Sequence, residues 1–68
     1  MNVLGKDLKI GDVIEVWWKP NRDTIIGLKE YTGGISNLWK DGARLADFAQ
    51  NRCGMTIDNG ALYKVVNR

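Results

Sequence analysis

The run Val13-Ile14-Glu15-Val16-Trp17-Trp18, launched by the turn pair Gly11-Asp12, constrains this chain more than any other stretch. β-Branched and aromatic residues in such a run suit a pleated, half-buried strand. In alternating register Ile14, Val16 and Trp18 share one side, and Val13, Glu15 and Trp17 share the other. The first set makes a core face. The second carries more apolar surface than folding asks of an outer face, so Trp17 is expected to point outward.

A chain of 68 residues has room for one domain, and a domain of this size hides only about 60% of its unfolded surface. Its hydrophobic fraction of 44% and charged fraction of 26% belong to a folded domain rather than a disordered segment. The lone cysteine, Cys53, forbids an intramolecular disulfide and points to a reducing compartment. No charged-then-apolar leader follows Met1, and no apolar run nears the roughly 20 residues of a membrane span. A complete small cytoplasmic protein with no membrane partner is the expectation. Histidine is absent, which removes the residue most used for acid-base work near neutral pH and the commonest metal ligand. Classical triads, Cys-His dyads and zinc sites are disfavoured with it. The expectation is a non-enzymatic chain with no cofactor and no metal. A formal net charge of +2 tolerates an acidic partner without demanding one.

Along the chain, Val3 and Leu4 suit a short edge pairing, and Leu8 and Ile10 are expected to tuck under the domain. A first strand follows, from about Asp12 to Trp18. Lys19-Pro20-Asn21-Arg22-Asp23 is turn chemistry, and Thr24 to Tyr31 makes a second strand. With Lys19 opposite Asp23, Trp18, Val16 and Ile14 oppose Thr24, Ile26 and Leu28. The other side then pairs Trp17 with Ile25, Glu15 with Gly27 and Val13 with Lys29. A slip of one residue would set Ile26 and Leu28 beside Glu15, which favours the first register. Thr32-Gly33-Gly34 ends the strand, Ile35 to Lys40 crosses over as a loop holding Leu38 and Trp39, and Asp41-Gly42 turns. Residues 42–49 fit a short helix capped by Asp41 or a strand with Ala46 and Phe48 on one side; the strand is favoured. A tight connection from Gln50 to Cys53 then sets Phe48 opposite Met55 and Ala46 opposite Ile57. Asp58 to Ala61 turns into a final strand, Leu62 to Val66.

About five short antiparallel strands with polar turns predict an all-β, closed small barrel; an α+β fold with a helix near 42–53 is the alternative. The layout resembles an SH3-like barrel of the KOW and Tudor kind. The resemblance rests on Lys9-Ile10-Gly11-Asp12-Val13-Ile14, on Trp39-Lys40-Asp41-Gly42-Ala43-Arg44 and on the stretch from Met55 to Tyr63. It is a likeness of pattern over most of the chain, and no functional residue follows from it. The chain is also similar in character to small phage and prophage proteins.

Two binding readings share Trp17. Trp17, Tyr31 and Trp39, interspersed with Lys19, Arg22, Lys29, Lys40 and Arg44, combine stacking surfaces with cations, a mixture suited to single-stranded nucleic acid or an RNA loop. In that reading Trp17 and Tyr31 stack while Lys19, Arg22, Lys29 and Arg44 contact phosphates. The other reading takes Val13, Trp17 and Ile25 as an apolar patch for a protein partner, whether a host protein or a second copy in a homo-oligomer. Three tryptophans in so small a domain also serve a core, and Trp18 and Trp39 are the better fits there. Asp41 and Asp58, beside glycines in turns, are expected to bond their own backbone rather than hold a metal, and Asp47 to be solvated. Cys53, without a histidine, is expected to be an inert thiol. Gly33-Gly34 lacks the helix and lysine of a phosphate loop.

Overall fold

A computed structural model describes residues 1–68 apart from the side chains of Ile35 and Ser36. It is all-β: β1 (Asn2–Leu4), β2 (Val13–Glu15), β3 (Arg22–Tyr31), β4 (Ala43–Phe48), β5 (Met55–Asp58) and β6 (Leu62–Lys64). A 3-10 turn, Gly5–Asp7, follows β1, and a single helical turn, α1 (Gly34–Leu38), stands where a loop was expected. Residues 43–48 are strand, so the helix alternative near 42–53 falls away. Its short length and the pairing offered by β3 and β5 outweigh the helical propensity of its alanines.

The strands form two antiparallel sheets, β2-β3-β4-β5 and β1-β6, the first curled into a half-barrel. The expected edge pairing of Val3 and Leu4 is present, with Val3 opposite Tyr63 and Leu4 opposite Leu62. The chain beyond β6 passes from one sheet to the other. Val65 N–H donates to the Met1 carbonyl at 2.8 Å, Ile14 bridges to Val65, and Val66 N–H donates to the Val13 carbonyl at 2.8 Å. Asn67 completes the cover of β2, accepting from Val13 N–H at 3.0 Å and donating to the Gly11 carbonyl at 3.1 Å. The resulting architecture is compatible with an SH3-like barrel.

The β2–β3 register differs from the expected one. Val13 opposes Thr24, Ile14 opposes Asp23 and Glu15 opposes Arg22. Ile14 therefore meets Asp23 instead of Leu28, a slip of five residues; an odd slip exchanges the faces of β3. Ile25 turns inward and is wholly buried, and Ile26 turns outward at 56% exposure. The expectation failed because it assumed strict alternation. A bulge between Ile25 and Gly27, seen in the pairing with β4, inserts one residue, so both Ile25 and Leu28 reach the core side. The hairpin also closes differently: Val16 N–H donates to the Asn21 carbonyl at 3.1 Å and Asn21 N–H to that of Trp18 at 2.7 Å. Asn21 takes φ +71°, a left-handed conformation that asparagine tolerates better than most residues. The strand predicted to run to Trp18 therefore stops at Glu15.

The β4–β5 register is shifted by two, Ala46 opposing Met55 and Arg44 opposing Ile57. An even shift keeps the faces, so Ala46, Phe48 and Ile57 are buried as the alternation required. The core is Val3, Leu8, Ile14, Ile25, Ala46, Phe48, Ile57 and Val65, with Trp18, Leu28 and Tyr63 among those packed around it. Ile10, expected beneath the domain beside Leu8, is 64% exposed. Gly5 seats the 3-10 turn on the barrel end: its N–H donates to the Ala61 carbonyl at 2.8 Å, and a Cβ there would collide with the Asp58 carbonyl.

Candidate binding surface at the β2–β3 hairpin

The hairpin tip carries the tryptophan pair. Trp17 is 79% exposed, the second most exposed large apolar side chain after Leu38 among the described residues. It is not loose on that surface. Its ring meets Trp18 edge-to-face, with centroids 5.4 Å apart and planes at 88°. Trp18 in turn packs edge-to-face on Phe48 at 5.1 Å, and its indole N–H donates to Asp23 Oδ2 at 2.9 Å. Aromatic pairs in this geometry contribute about 0.5–1.5 kcal/mol beyond their buried area. The contacts run unbroken from the core to the exposed indole.

Asp23 is the anchor of this end of the barrel. Its side chain is buried, and it accepts from Thr24 N–H at 2.8 Å, from Gln50 N–H at 3.2 Å and from Asn51 N–H at 3.1 Å besides Trp18. Burial by itself would raise the carboxyl pKa. The hydrogen bonds to the ionised form, the Trp18 indole first and the three backbone amides after it, outweigh burial and hold the pKa below its ordinary value. An inward aspartate opposite Ile14 is thus fully satisfied, which is what makes the observed register affordable.

The predicted site residues do not form one patch. Trp17, Lys19 and Arg22 share the hairpin, all exposed. Arg22 lies in a cross-strand row with Glu15, whose carboxylate is paired with Lys64 at 3.6 Å. Lys29 and Tyr31 sit near the opposite end of the 10-residue β3, which at about 3.3 Å per residue spans about 30 Å. Tyr31 is half-buried, its ring folded over Gly33, where a Cβ would overlap it. Trp17 and Tyr31 therefore cannot stack neighbouring bases.

Two further expectations are corrected. Arg44 points inward beside Ile57, donating to the carbonyls of Gly5 and Leu8, the latter at 2.9 Å. It straps the 3-10 turn onto the sheet and is committed there, not offered to phosphate. Ile25 belongs to the core and leaves the outer face. In its place an apolar strip runs across the sheet: half-buried Val13 with Thr24 on one side and Val66 on the other, the latter 39% exposed, and Ile26 beyond. The sequence reading missed Ile26 because the slipped β2–β3 register turns it outward, while the bulge after Ile25 keeps Leu28 on the core side.

It also missed the β4–β5 loop. Gln50 and Asn51 are drawn to the hairpin by Asp23, and no local sequence signal marks them. Elsewhere, Asp58 accepts from Gly60 N–H at 2.9 Å, the local turn bond expected of it. Cys53 is a free, exposed thiol. The described residues include no carboxylate, cysteine or histidine grouping that would hold a metal ion, and no helix long and apolar enough to cross a membrane. The candidate site is an open surface, without a pocket among the described residues. Compared with protein-family models, curated proteins and solved structures, the chain matches none.

Proposed function

We propose that this chain is a small cytoplasmic, non-enzymatic binding module for single-stranded nucleic acid, DNA or RNA, acting through the β2–β3 hairpin. A base stacks on Trp17 while Lys19 and Arg22 contact the flanking phosphates. One observation carries the reading: Trp17 is 79% exposed yet packed edge-to-face against Trp18, an open aromatic face beside two unburied cations. A flat aromatic face suits any base, because every base has a π-face. The half-barrel is read as an SH3-like barrel of the KOW or Tudor kind, in a phage-type protein.

The test is a titration of labelled oligo-dT and oligo-rU, with tryptophan fluorescence as readout. Trp17→Ala should weaken binding by about 5- to 150-fold, the equivalent of one base stack at about 1–3 kcal/mol. Two or three phosphate contacts predict an affinity that falls about tenfold between about 50 and 200 mM salt. Absence of binding at the lower salt, or binding indifferent to Trp17→Ala, removes this reading.

The apolar strip of Val13, Ile26 and Val66 favours a second reading, a protein-binding face used for a host protein or a second copy of this chain. Sedimentation decides the self-association branch: a mass that rises with concentration and reverts to monomer in Ile26→Lys supports it.

A further inference from the structure

The carboxylate of Asp23 joins two loops that are remote in sequence. The same oxygen, Oδ2, accepts from the Trp18 indole at 2.9 Å, from Asn51 N–H at 3.1 Å and from Gln50 N–H at 3.2 Å. Ala49 N–H adds a bond to the Thr24 carbonyl at 3.0 Å. The β4–β5 loop is therefore pinned beside the indole that braces Trp17. The loop is also closed on itself: Asn51 Oδ1 accepts from Cys53 N–H at 3.0 Å, and Gly54 N–H donates to the Asn51 carbonyl at 3.3 Å. Gly54 holds φ +75°, and a Cβ there would lie 2.7 Å from the Ala46 carbonyl oxygen, so a side chain at this position would be strained.

What this pinned loop presents is polar and positive. Gln50 and Arg52 are both exposed. Within residues 16–21 and 49–54 the charged side chains are Lys19 and Arg52, and both are cations. The nearest acids along the chain are Asp23, buried, Glu15, paired with Lys64, and Asp47, exposed at the base of the loop.

We infer that the nucleic-acid surface is composite, with the β4–β5 loop as its second wall. Arg52 takes a phosphate on the far side of the base stacked on Trp17, and the Gln50 amide meets base edges. Asp23 is a positioning residue that holds the two walls together. The inference rests on the hairpin reading above and extends it to residues outside that hairpin. A guanidinium is well matched to phosphate, and an amide both donates and accepts at a base edge.

The experiment compares Arg52→Ala, Gln50→Ala and Lys6→Ala by fluorescence titration with labelled oligo-dT and oligo-rU. Lys6 is an exposed cation in the 3-10 turn, whose backbone is bonded to Asn59 beside Gly42 at the other end of the barrel, and serves as the equal-charge control. Arg52→Ala should weaken binding about three- to tenfold and lower the salt slope by about 0.7, the share of one phosphate on a single strand. Gln50→Ala should weaken binding with the slope unchanged, because an amide carries no charge. Lys6→Ala should change neither. In Asp23→Asn, the Trp18 indole N–H resonance should shift and the Gln50 and Asn51 amides should exchange faster. Arg52→Ala should then have no further effect, since the loop is no longer held in place. If Asp23→Asn does not fold, a loss of affinity and of salt slope in Arg52→Ala that the equal-charge control lacks supports one surface by itself. Wild-type affinity and slope in Arg52→Ala, with binding still lost in Trp17→Ala, would leave the hairpin to act alone and overturn the composite site. Indifference to Trp17→Ala would instead overturn the hairpin reading itself.

Discussion

Trp18 and Asp23 are joined by an indole-to-carboxylate hydrogen bond of 2.9 Å, with the carboxylate buried and three backbone amides completing its shell. Removing the acceptor strands several buried donors at once, and each unmet donor costs about 1–3 kcal/mol. Asp23→Ala should therefore lose about 3 kcal/mol or more, read as a fall in urea midpoint at unchanged slope. A loss below about 1 kcal/mol would mean that water takes over these donors freely.

The same carboxylate sets an acid limb. Its folded-state pKa lies below the ordinary 3.8 because the hydrogen bonds to the ionised form exceed the cost of burial. The stability it contributes is present above the unfolded value and is lost as pH falls through the lower folded value. Urea midpoints of wild type and Asp23→Asn should accordingly converge between about pH 5 and pH 2. A gap of constant size across that range would show that the charge is not what matters.

Neighbouring isoleucines separate the observed register from the one that alternation suggested. Ile25 is wholly buried and Ile26 is 56% exposed. Ile25→Ala should cost about 2–5 kcal/mol by opening a core cavity, whereas Ile26→Ala should cost under about 1 kcal/mol. Equal losses would place the bulge elsewhere.

The two ion pairs found among the described residues should behave differently. Lys64 and Glu15 face each other at 3.6 Å with side chains 58% and 56% exposed, so Lys64→Ala should stay within about 0.5 kcal/mol of wild type. Arg68 reaches Asp12 at 3.1 Å, and that carboxylate side chain is only 4% exposed. Arg68→Ala should cost about 1–3 kcal/mol. Chemical denaturation of the two variants side by side checks the contrast.

Gly5→Ala should be the most damaging change of the smallest size. A Cβ at that position meets the carbonyl of Asp58, a backbone atom that can retreat only by breaking the seat of the 3-10 turn. A loss of about 3 kcal/mol or a failure to fold is expected, with thermal unfolding as the measure.

Much of the fold was legible because alternation is a local property. The run around Ile14 announces a strand, Ala46 and Phe48 announce an inner face, and Asp41-Gly42 and Asp58-Asn59-Gly60 announce turns, and each is found in place. The outward Trp17 followed from its adjacency to Trp18. Arg44 did not follow: composition presents it as one more cation, and only the packing of the Gly5–Asp7 turn against β4 converts it into an internal strap.

The sequence by itself determined an all-β chain of short antiparallel strands and one tryptophan facing solvent, because side-chain period and turn chemistry act over a few residues; the closed barrel it suggested is a half-barrel of four strands with a separate β1-β6 pair. The tertiary structure decided what surrounds that tryptophan. Whether Asp23 could lie inward depended on amides of Gln50 and Asn51, more than 25 residues further along the chain. Burying a carboxylate is costly until such partners arrive, and no local pattern records their arrival. Once they do, the register of β3, the placement of Ile25 and the bracing of Trp17 are settled together.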